Sequence, residues 1–315
     1  MKIRKSIIRL IFYSIFAIFL AIVWRNYNHF IVPLKVGGAK LTYDEHLKMD
    51  RWGRLVSIKL EGNNIGPDCL REIKRSSANL YAVWIEAPNL RSIDLTPLAS
   101  FRRLIFFSIS SDSLERIDLS PLPSLHRLAI LMVWSGSLKE IDLTPLASCK
   151  ELVDFTLYST ELDSINLLPF SFCKSLTRLF LSGRFRSIDL SPVSSCPGLL
   201  SLNICNAPLD SIDISPLASC KELERLGLLV DSLSSIDLSP LSSCKKLNYL
   251  NLAFNNLTHL DISPLFSLPE LKTIHLMRNP LDKKTCIKLE EFAMSHPDCE
   301  IESDCFNQKA KKRGQ

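Results

Sequence analysis

LNYLNLAFNNLTHLDISPLFSL, residues 247–268, contains both of the phrases that decide the fold. The first phrase, L-x-x-L-x-L, begins at Leu247, and its last two apolar positions alternate as one face of a β-strand requires. The second phrase, L-D-I at 260–262, alternates again and predicts a short extended segment with its acidic side chain outward. The Ser-Pro pair at 263–264 then predicts a short helical turn, because a hydroxyl N-cap followed by proline suits a helix start.

Both phrases recur along the chain at an almost constant step. The second appears as I-D-L-[ST]-P-L, and its acidic position recurs every 24 residues, with a single step of 23 before Asp189. Ten units in register predict a stack of coils, because no coil buries its apolar side alone. The acidic positions are Asp94, Asp118, Asp142, Asp189, Asp213, Asp237 and Asp261, with Asn166 in the remaining copy. The first phrase begins at Leu55, Leu80, Leu104, Leu128, Leu152, Leu176, Leu199, Leu223, Leu247 and Leu271.

The repeat resembles that of the leucine-rich-repeat family, whose pattern is L-x-x-L-x-L-x-x-N-x-L. Three units match it closely, with the family's asparagine at Asn63, Asn255 and Asn279. In the other units its place holds Pro88, Asp112, Gly136, Thr160, Arg184, Ala207 and Asp231, which puts the turn geometry of those units in question. The resemblance implies an α/β solenoid, a right-handed superhelix with a concave parallel β-sheet of about ten strands and short helical turns on the convex side.

The chain divides into five segments. These are an N-terminal signal-anchor at 1–25, a linker and N-terminal cap at 26–54, the repeats at 55–281, a C-terminal cap at 282–306 and a basic tail at 307–315. A stack of coils has two open ends, and each end needs a cap. At the far end the spacing of apolar residues predicts a helix over 283–294, followed by a last strand around 299–301.

The N-terminal segment has the properties of a membrane anchor. Residues 10–24 carry no charge, and counting back across Arg9 to Ile7 gives about 18 residues, or roughly 27 Å of helix. This predicts one transmembrane helix over 7–24. A cleaved signal peptide, which would make the protein secreted, and a buried core helix are the alternatives. Four basic residues precede the uncharged run, so the positive-inside bias places the N-terminus in the cytoplasm and the repeats outside.

The charge of the chain is concentrated at its two ends. Removing the nine basic groups of residues 1–25 and 309–315 from the total of 38 leaves 29 basic against 33 acidic groups. The repeats are therefore slightly acidic and lack the basic footprint of a nucleic-acid-binding domain, so we expect no nucleic-acid partner.

Eight of the ten cysteines fall into two groups. Cys149, Cys173, Cys196, Cys220 and Cys244 share one repeat position, which is apolar in other units and which no histidine joins. This indicates buried thiols rather than a metal or redox site. Cys286, Cys299 and Cys305 lie in the C-terminal cap, where one disulfide among them is expected if the repeats are outside the cell. We expect no metal and no cofactor.

The acidic column brings like charges about 5 Å apart in successive coils. Hydrogen bonds from turn amides and from the nearby Ser and Thr hydroxyls would compensate for the repulsion. Calcium held between neighbouring carboxylates is the alternative, although one carboxylate per coil is a sparse set of ligands.

Large apolar side chains mark the outward strand positions on the concave face from the second to the sixth unit. A solenoid has no structural need for them there, and exposed aromatic clusters are typical of interaction sites. Cover by a loop, by residues 26–54 or by the bilayer is the alternative. The candidate binding residues are Tyr81, Trp84, Phe106, Ile130, Met132, Trp134, Tyr158 and Phe180.

No catalytic motif is recognisable. The six histidines are scattered, and the sequence contains no phosphate loop, nucleophile elbow or H-E-x-x-H. The sequence therefore predicts a non-enzymatic, membrane-tethered module that binds a protein or peptide through the concave face. A structural cell-surface protein without a dedicated ligand is the alternative.

Overall fold

In the computed structural model, residues 57–74 and 80–306 are described. They form one parallel β-sheet whose strands follow each other in sequence order, so each coil of the chain adds one strand beside the last. The strands are β1 Ser57–Glu61, β2 Ala82–Glu86, β3 Phe106–Ser111, β4 Ile130–Ser135, β5 Asp154–Ser159, β6 Arg178–Ser182, β7 Ser201–Cys205, β8 Arg225–Leu229, β9 Tyr249–Asn251, β10 Thr273–His275 and β11 Glu300–Glu302. The predicted solenoid of about ten strands is confirmed.

Most repeats turn back through a short 3-10 helix on the side opposite the sheet. Eight such turns occur in the described part of the chain: Thr96–Ser100, Leu122–Ser124, Thr144–Ser148, Leu168–Phe172, Ser191–Ser195, Ser215–Ser219, Ser239–Ser243 and Ser263–Ser267. The I-D-L phrase alternates in burial as predicted, since Ile93 and Leu95 are buried while Asp94 reaches solvent, but it forms no strand.

The core lies between the strands and the turns. The leucines of L-x-x-L-x-L, the apolar residues of I-D-L, the third residue of seven turns and Leu122 of the remaining turn pack together as one continuous cluster. Six fully buried phenylalanines fill the wider places, and Phe155 lies with its ring centroid 5.1 Å from that of Phe170 in the next turn. Stacking of coils is therefore what buries the apolar side of each repeat.

The two ends differ from the repeats. Near the start, helix α1 (Cys69–Lys74) replaces the 3-10 turn, and it directs Leu70 and Ile73 into the core. At the far end, helix α2 (Lys283–Ser295) begins at the N-cap Asp282, whose carboxylate accepts from the Thr285 amide, and β11 follows. Helix and strand agree with the predicted C-terminal cap. The segments 1–25, 26–54 and 307–315 lie outside the described residues.

Candidate binding surface

The sheet has one face in the core and one face directed away from it, which we call the outer face. Strand register aligns its side chains in three rows that cross the strands. The first row runs Phe106, Ile130, Asp154, Arg178, Ser201, Arg225 and Tyr249. The second includes Trp84, Ser108, Met132, Thr156, Phe180 and Asn203, and the third includes Trp134, Tyr158 and Ser182. Each row therefore brings residues far apart in sequence to within a few strand spacings.

The aromatic residues predicted on this face form two clusters. The ring centroids of Trp84 and Phe106 are 4.5 Å apart. Trp134 stacks with Tyr158 at 5.6 Å and with Phe180 at 6.2 Å, so three neighbouring strands contribute to one aromatic cluster. We call Trp134, Tyr158 and Phe180 the aromatic trio. Stacked rings at these distances stabilise each other beyond the area that they bury.

The predicted residues are not all equally accessible. Phe106 is 5% exposed and Met132 is 3% exposed, so the expectation that solvent reaches every one of these side chains is wrong for these two. Tyr81, Trp84, Ile130, Trp134, Tyr158 and Phe180 are half-buried. Tyr81 lies just before β2, where its hydroxyl accepts from Arg103 at 3.1 Å.

An ion pair lies beside the aromatic trio, and sequence reasoning missed it. The Arg178 Nε donates to Asp154 Oδ2 at 2.7 Å, across the β5–β6 pairing. The Asp154 side chain is only 3% exposed, whereas 42% of the Arg178 side chain reaches solvent. Burial raises the pKa of Asp154 above its ordinary value, and the Arg178 charge opposes that rise. The repeating pattern does not predict this ion pair, because both residues occupy outward positions where the residue type varies from strand to strand.

The outer face changes character beyond β6. Most of its side chains there are polar, although Cys205 and Leu229 are not, and the Arg225 guanidinium lies 4.0 Å from the centre of the Tyr249 ring. Asn203 occupies space beside Gly227, where an added Cβ would come within 2.4 Å of the Asn203 Oδ1. Glycine at this position therefore makes room for the asparagine side chain of the neighbouring strand.

The cysteine column is buried, as predicted. Each thiol also donates to a backbone carbonyl of the preceding coil, for example Cys173 Sγ to Leu146 O at 3.3 Å. Burial raises the pKa of Cys149 and Cys196 to about 11, and that of Cys173 and Cys220 to about 12. Thiols of this kind are poor nucleophiles and poor metal ligands. In the cap, the structure joins Cys286 to Cys305 and leaves Cys299 as a thiol.

The acidic column caps the turns. Asp237 Oδ1 accepts from the Ser239 amide at 2.8 Å, and its Oδ2 accepts from the Ser239 hydroxyl at 2.8 Å. The same hydrogen bond, from the backbone amide two residues later to the carboxylate, recurs at Asp94, Asp118, Asp142, Asp189, Asp213 and Asp261. The predicted hydroxyl N-cap is therefore wrong, because the Ser or Thr side chain makes no capping bond and the aspartate two residues earlier takes that role. Within residues 57–74 and 80–306, no cluster of three or more His, Cys, Asp or Glu side chains has metal-binding geometry.

A sequential parallel sheet, a 3-10 turn in eight successive coils and a cap at the far end define a leucine-rich-repeat solenoid, and the protein has this fold. Among solved structures it is similar to an internalin of Listeria monocytogenes, with a TM-score of 0.58 and 21% identity over 89% of this chain and 83% of the internalin. It is also similar to TLR13 in a complex with a single-stranded RNA, with a TM-score of 0.58 and 15% identity over 71% of this chain and 36% of TLR13. A leucine-rich-repeat protein of Leptospira interrogans gives 0.48 and 17% over 90% of this chain and 98% of that protein.

No protein-family model and no curated protein matches the sequence. The predicted transmembrane helix over 7–24 lies outside the described residues. Within the part of the chain that is described, no helix combines the length and apolarity needed to cross a membrane.

Proposed function

We propose that the protein is a recognition module that binds a protein or peptide on the outer face of its sheet and is tethered to a membrane by residues 7–24. The observation that carries this proposal is the aromatic trio. Three large rings from three successive strands lie side by side at positions that the repeat does not require to be apolar. Aromatic clusters on solenoid surfaces present a large contact area with little side-chain entropy to lose.

The solenoid supplies a rigid platform for these rings. Strand β5 pairs with β4 over its full length and with β6 from Asp154 to Tyr158, so the backbone beneath the trio is fixed on both sides. A partner that lies on such a surface does not have to order it first, which lowers the entropic cost of binding. The half-buried rings can add contacts to a partner without leaving their own stacking arrangement.

The tether rests on sequence and on one feature of the cap. An uncharged run of 15 residues at 10–24, preceded by basic residues, supports an anchor with the repeats outside the cytoplasm. The disulfide between Cys286 and Cys305 supports the same side, because disulfides persist in oxidising compartments. Extraction of membranes at alkaline pH, with and without deletion of 7–24, tests the anchor. Release of the intact chain would contradict it.

A structural cell-surface role without a dedicated ligand is the competing function. The observation that favours it is that the rings pack on each other, with Phe106 and Met132 almost fully buried on the outer face. Under this alternative the aromatic residues stabilise the sheet and bind nothing else.

Binding to peptides separates the two functions. The full-length chain, held in mild detergent micelles, is panned against a display library of random 12-residue peptides. The test variant carries Trp134→Ser, Tyr158→Ser and Phe180→Ser. The control variant carries Leu168→Ser and Phe172→Ser, which remove exposed apolar side chains (59% and 51% exposed) from a turn on the opposite side.

We expect the enriched peptides to lose at least about tenfold in affinity for the test variant, as for the loss of interface hot spots. The control variant should bind them as the wild type does. An absence of enriched peptides, or equal binding to both variants, would contradict the proposed function. A test variant that unfolds in circular dichroism would assign the trio to the structural role.

A further inference from the structure

Charges on the outer face occur in a definite order along the sheet. At the first end Glu61 and Glu86 flank Lys59, whose ammonium lies 3.1 Å and 2.8 Å from their carboxylates. At the other end, β11 places Glu300 and Glu302 in line with β10. The middle of the face carries Arg178 and Arg225, whereas the repeats as a whole carry more acidic than basic residues. The two arginines thus form a basic centre between the acidic ends of this face.

Arg178 is held in place by Asp154. Its Nε donates to the buried Asp154 carboxylate, so the long side chain loses much of its freedom before any partner arrives. Almost half of the side chain is nevertheless accessible, and it lies on the same strand as Phe180 of the aromatic trio. An arginine that is fixed through Nε and adjoins an aromatic cluster is well suited to bind a carboxylate.

Arg225 is held in place by Tyr249. Its guanidinium stacks on the Tyr249 ring of the next strand, at 4.0 Å, and the residue is exposed. Register places Arg178, Ser201 and Arg225 on three successive strands of one row. The two arginine Cα atoms are therefore roughly 10 Å apart, which is two strand spacings.

We propose that the partner segment is an extended acidic peptide that crosses the strands, with an apolar residue on the aromatic trio and two carboxylates on Arg178 and Arg225. This inference rests on the proposed function and adds the chemistry of the partner. Because an extended chain advances about 3.3 Å per residue, the two acidic residues are about three positions apart. The glutamates at the two ends of the sheet repel the same peptide, so its position along the face is fixed from both directions.

A short peptide fits this distribution better than a nucleic acid. A polyanion that followed the sheet would meet only two arginines in the middle and acidic groups towards both ends. Nucleic-acid affinity arises from many phosphate contacts, so this face offers too few of them. Binding of a nucleic acid is therefore an outcome that would overturn the inference.

The peptides enriched on the full-length chain provide the first test, through their sequences. We expect most of them to carry an apolar residue and at least two acidic residues downstream or upstream of it at a fixed separation. Raising the salt concentration should weaken their binding, because the contacts are charged and partly exposed. Enriched peptides without an excess of acidic residues would overturn the inference.

Three variants provide the second test. Arg225→Glu reverses an exposed charge in the proposed site, and Arg178→Gln with Asp154→Asn removes the ion pair without leaving a buried carboxylate alone. Lys245→Glu makes the same charge change on the turn side, where its ammonium contacts the Ser267 carbonyl. We expect the first two variants to lose at least about tenfold in affinity for the acidic peptides. The Lys245→Glu variant should bind like the wild type.

The outcomes for the inference and for the proposed function can be told apart. Peptides that need the aromatic trio but bind the Arg225→Glu variant normally would overturn the acidic partner and leave the recognition function intact. Peptides that are insensitive to both sets of variants would overturn both. Binding of a labelled single-stranded RNA or DNA 12-mer in competition with the peptides would also overturn the inference, in favour of a nucleic-acid ligand.

Discussion

The turn side and the outer face of the sheet belong to the same coils and follow opposite rules. Seven of the eight 3-10 turns in the described part end in the same serine position, and an Asp–amide bond caps the same seven. On the outer face, each of the strands β2 to β8 presents a different set of three side chains. The turn side repeats the same residues because the coils must stack. The residues of the outer face take no part in stacking, so they can differ from strand to strand.

One turn departs from the rule and shows what the rule consists of. In the turn Leu168–Phe172 both terminal hydroxyl residues are replaced, and Asn166 stands where the others have aspartate. Its Oδ1 still accepts from the Leu168 amide, at 3.0 Å. What the turn requires is therefore an oxygen acceptor two residues before its first amide, and the negative charge is secondary.

The two sides should differ most in how much the free energy of unfolding falls when a side chain is truncated. Leu217, the third residue of the turn Ser215–Ser219, is completely buried. Leu217→Ala should lower the free energy of unfolding by about 3 kcal/mol, because it leaves a cavity between stacked coils. Ser201→Ala on the outer face should change it by less than about 0.5 kcal/mol. Chemical denaturation followed by circular dichroism measures both, and similar costs would abolish the distinction.

A second comparison uses one residue type on both sides. Asn255 is buried behind β9, and its Nδ2 donates to the carbonyls of Leu228 at 2.7 Å and Leu252 at 2.9 Å. Asn255→Ala leaves buried carbonyls without a donor and should cost about 2 kcal/mol. Asn203→Ala loses only a bond to the Ser201 hydroxyl on the outer face. A cost below about 0.5 kcal/mol is expected there, and a larger loss for Asn203 than for Asn255 would contradict the assignment.

The sequence predicted the repeated side well because a column of positions reports the same constraint many times. Coil length, the sheet, the buried cysteine column and the C-terminal helix all follow from the spacing of Leu, Asp and Cys. The capping role was misassigned, since Ser-Pro suggests a hydroxyl N-cap while the bond that forms belongs to the aspartate. For the same carboxylates, the predicted hydrogen bonds from turn amides form in the structure.

Local substitutions within the pattern were harder to predict. In two units that lack the family's asparagine, a buried serine one residue earlier bonds to a different carbonyl of the preceding coil: the Ser135 hydroxyl donates to Leu114 O, and the Ser159 hydroxyl to Leu138 O, each at 2.6 Å. These serine hydrogen bonds depend on backbone geometry, so the spacing of the repeat does not predict them. The Asp154–Arg178 ion pair could not be predicted either, because residue types at outward positions do not repeat. Only the register of β5 against β6 shows that the two residues are neighbours.

The smallest effect concerns the charge of the acidic column. Hydrogen bonds from the hydroxyl and amide of the following Ser or Thr hold the pKa of Asp142, Asp189 and Asp261 below the ordinary value of 3.8, and the Ser239 amide and hydroxyl do so for Asp237. A lowered pKa in the folded state means that the unfolded chain takes up protons more readily. These aspartates therefore contribute stability above about pH 4, and the contribution is lost as the pH falls through their folded-state pKa values.

Replacing the four aspartates by asparagine separates the acceptor from its charge. Because Asn166 shows that an amide oxygen caps the turn, the variant should fold, and its melting temperature should fall less steeply than that of the wild type between pH 5 and pH 2. A control with Glu151→Gln, Glu161→Gln, Glu270→Gln and Glu291→Gln removes the same number of exposed charges outside the column. If the control flattens the pH dependence as much as the aspartate variant does, acid sensitivity reflects net charge and the column has no special part in it. If only the aspartate variant does so, the repeated side of the solenoid owes part of its stability to bonds that the outer face lacks.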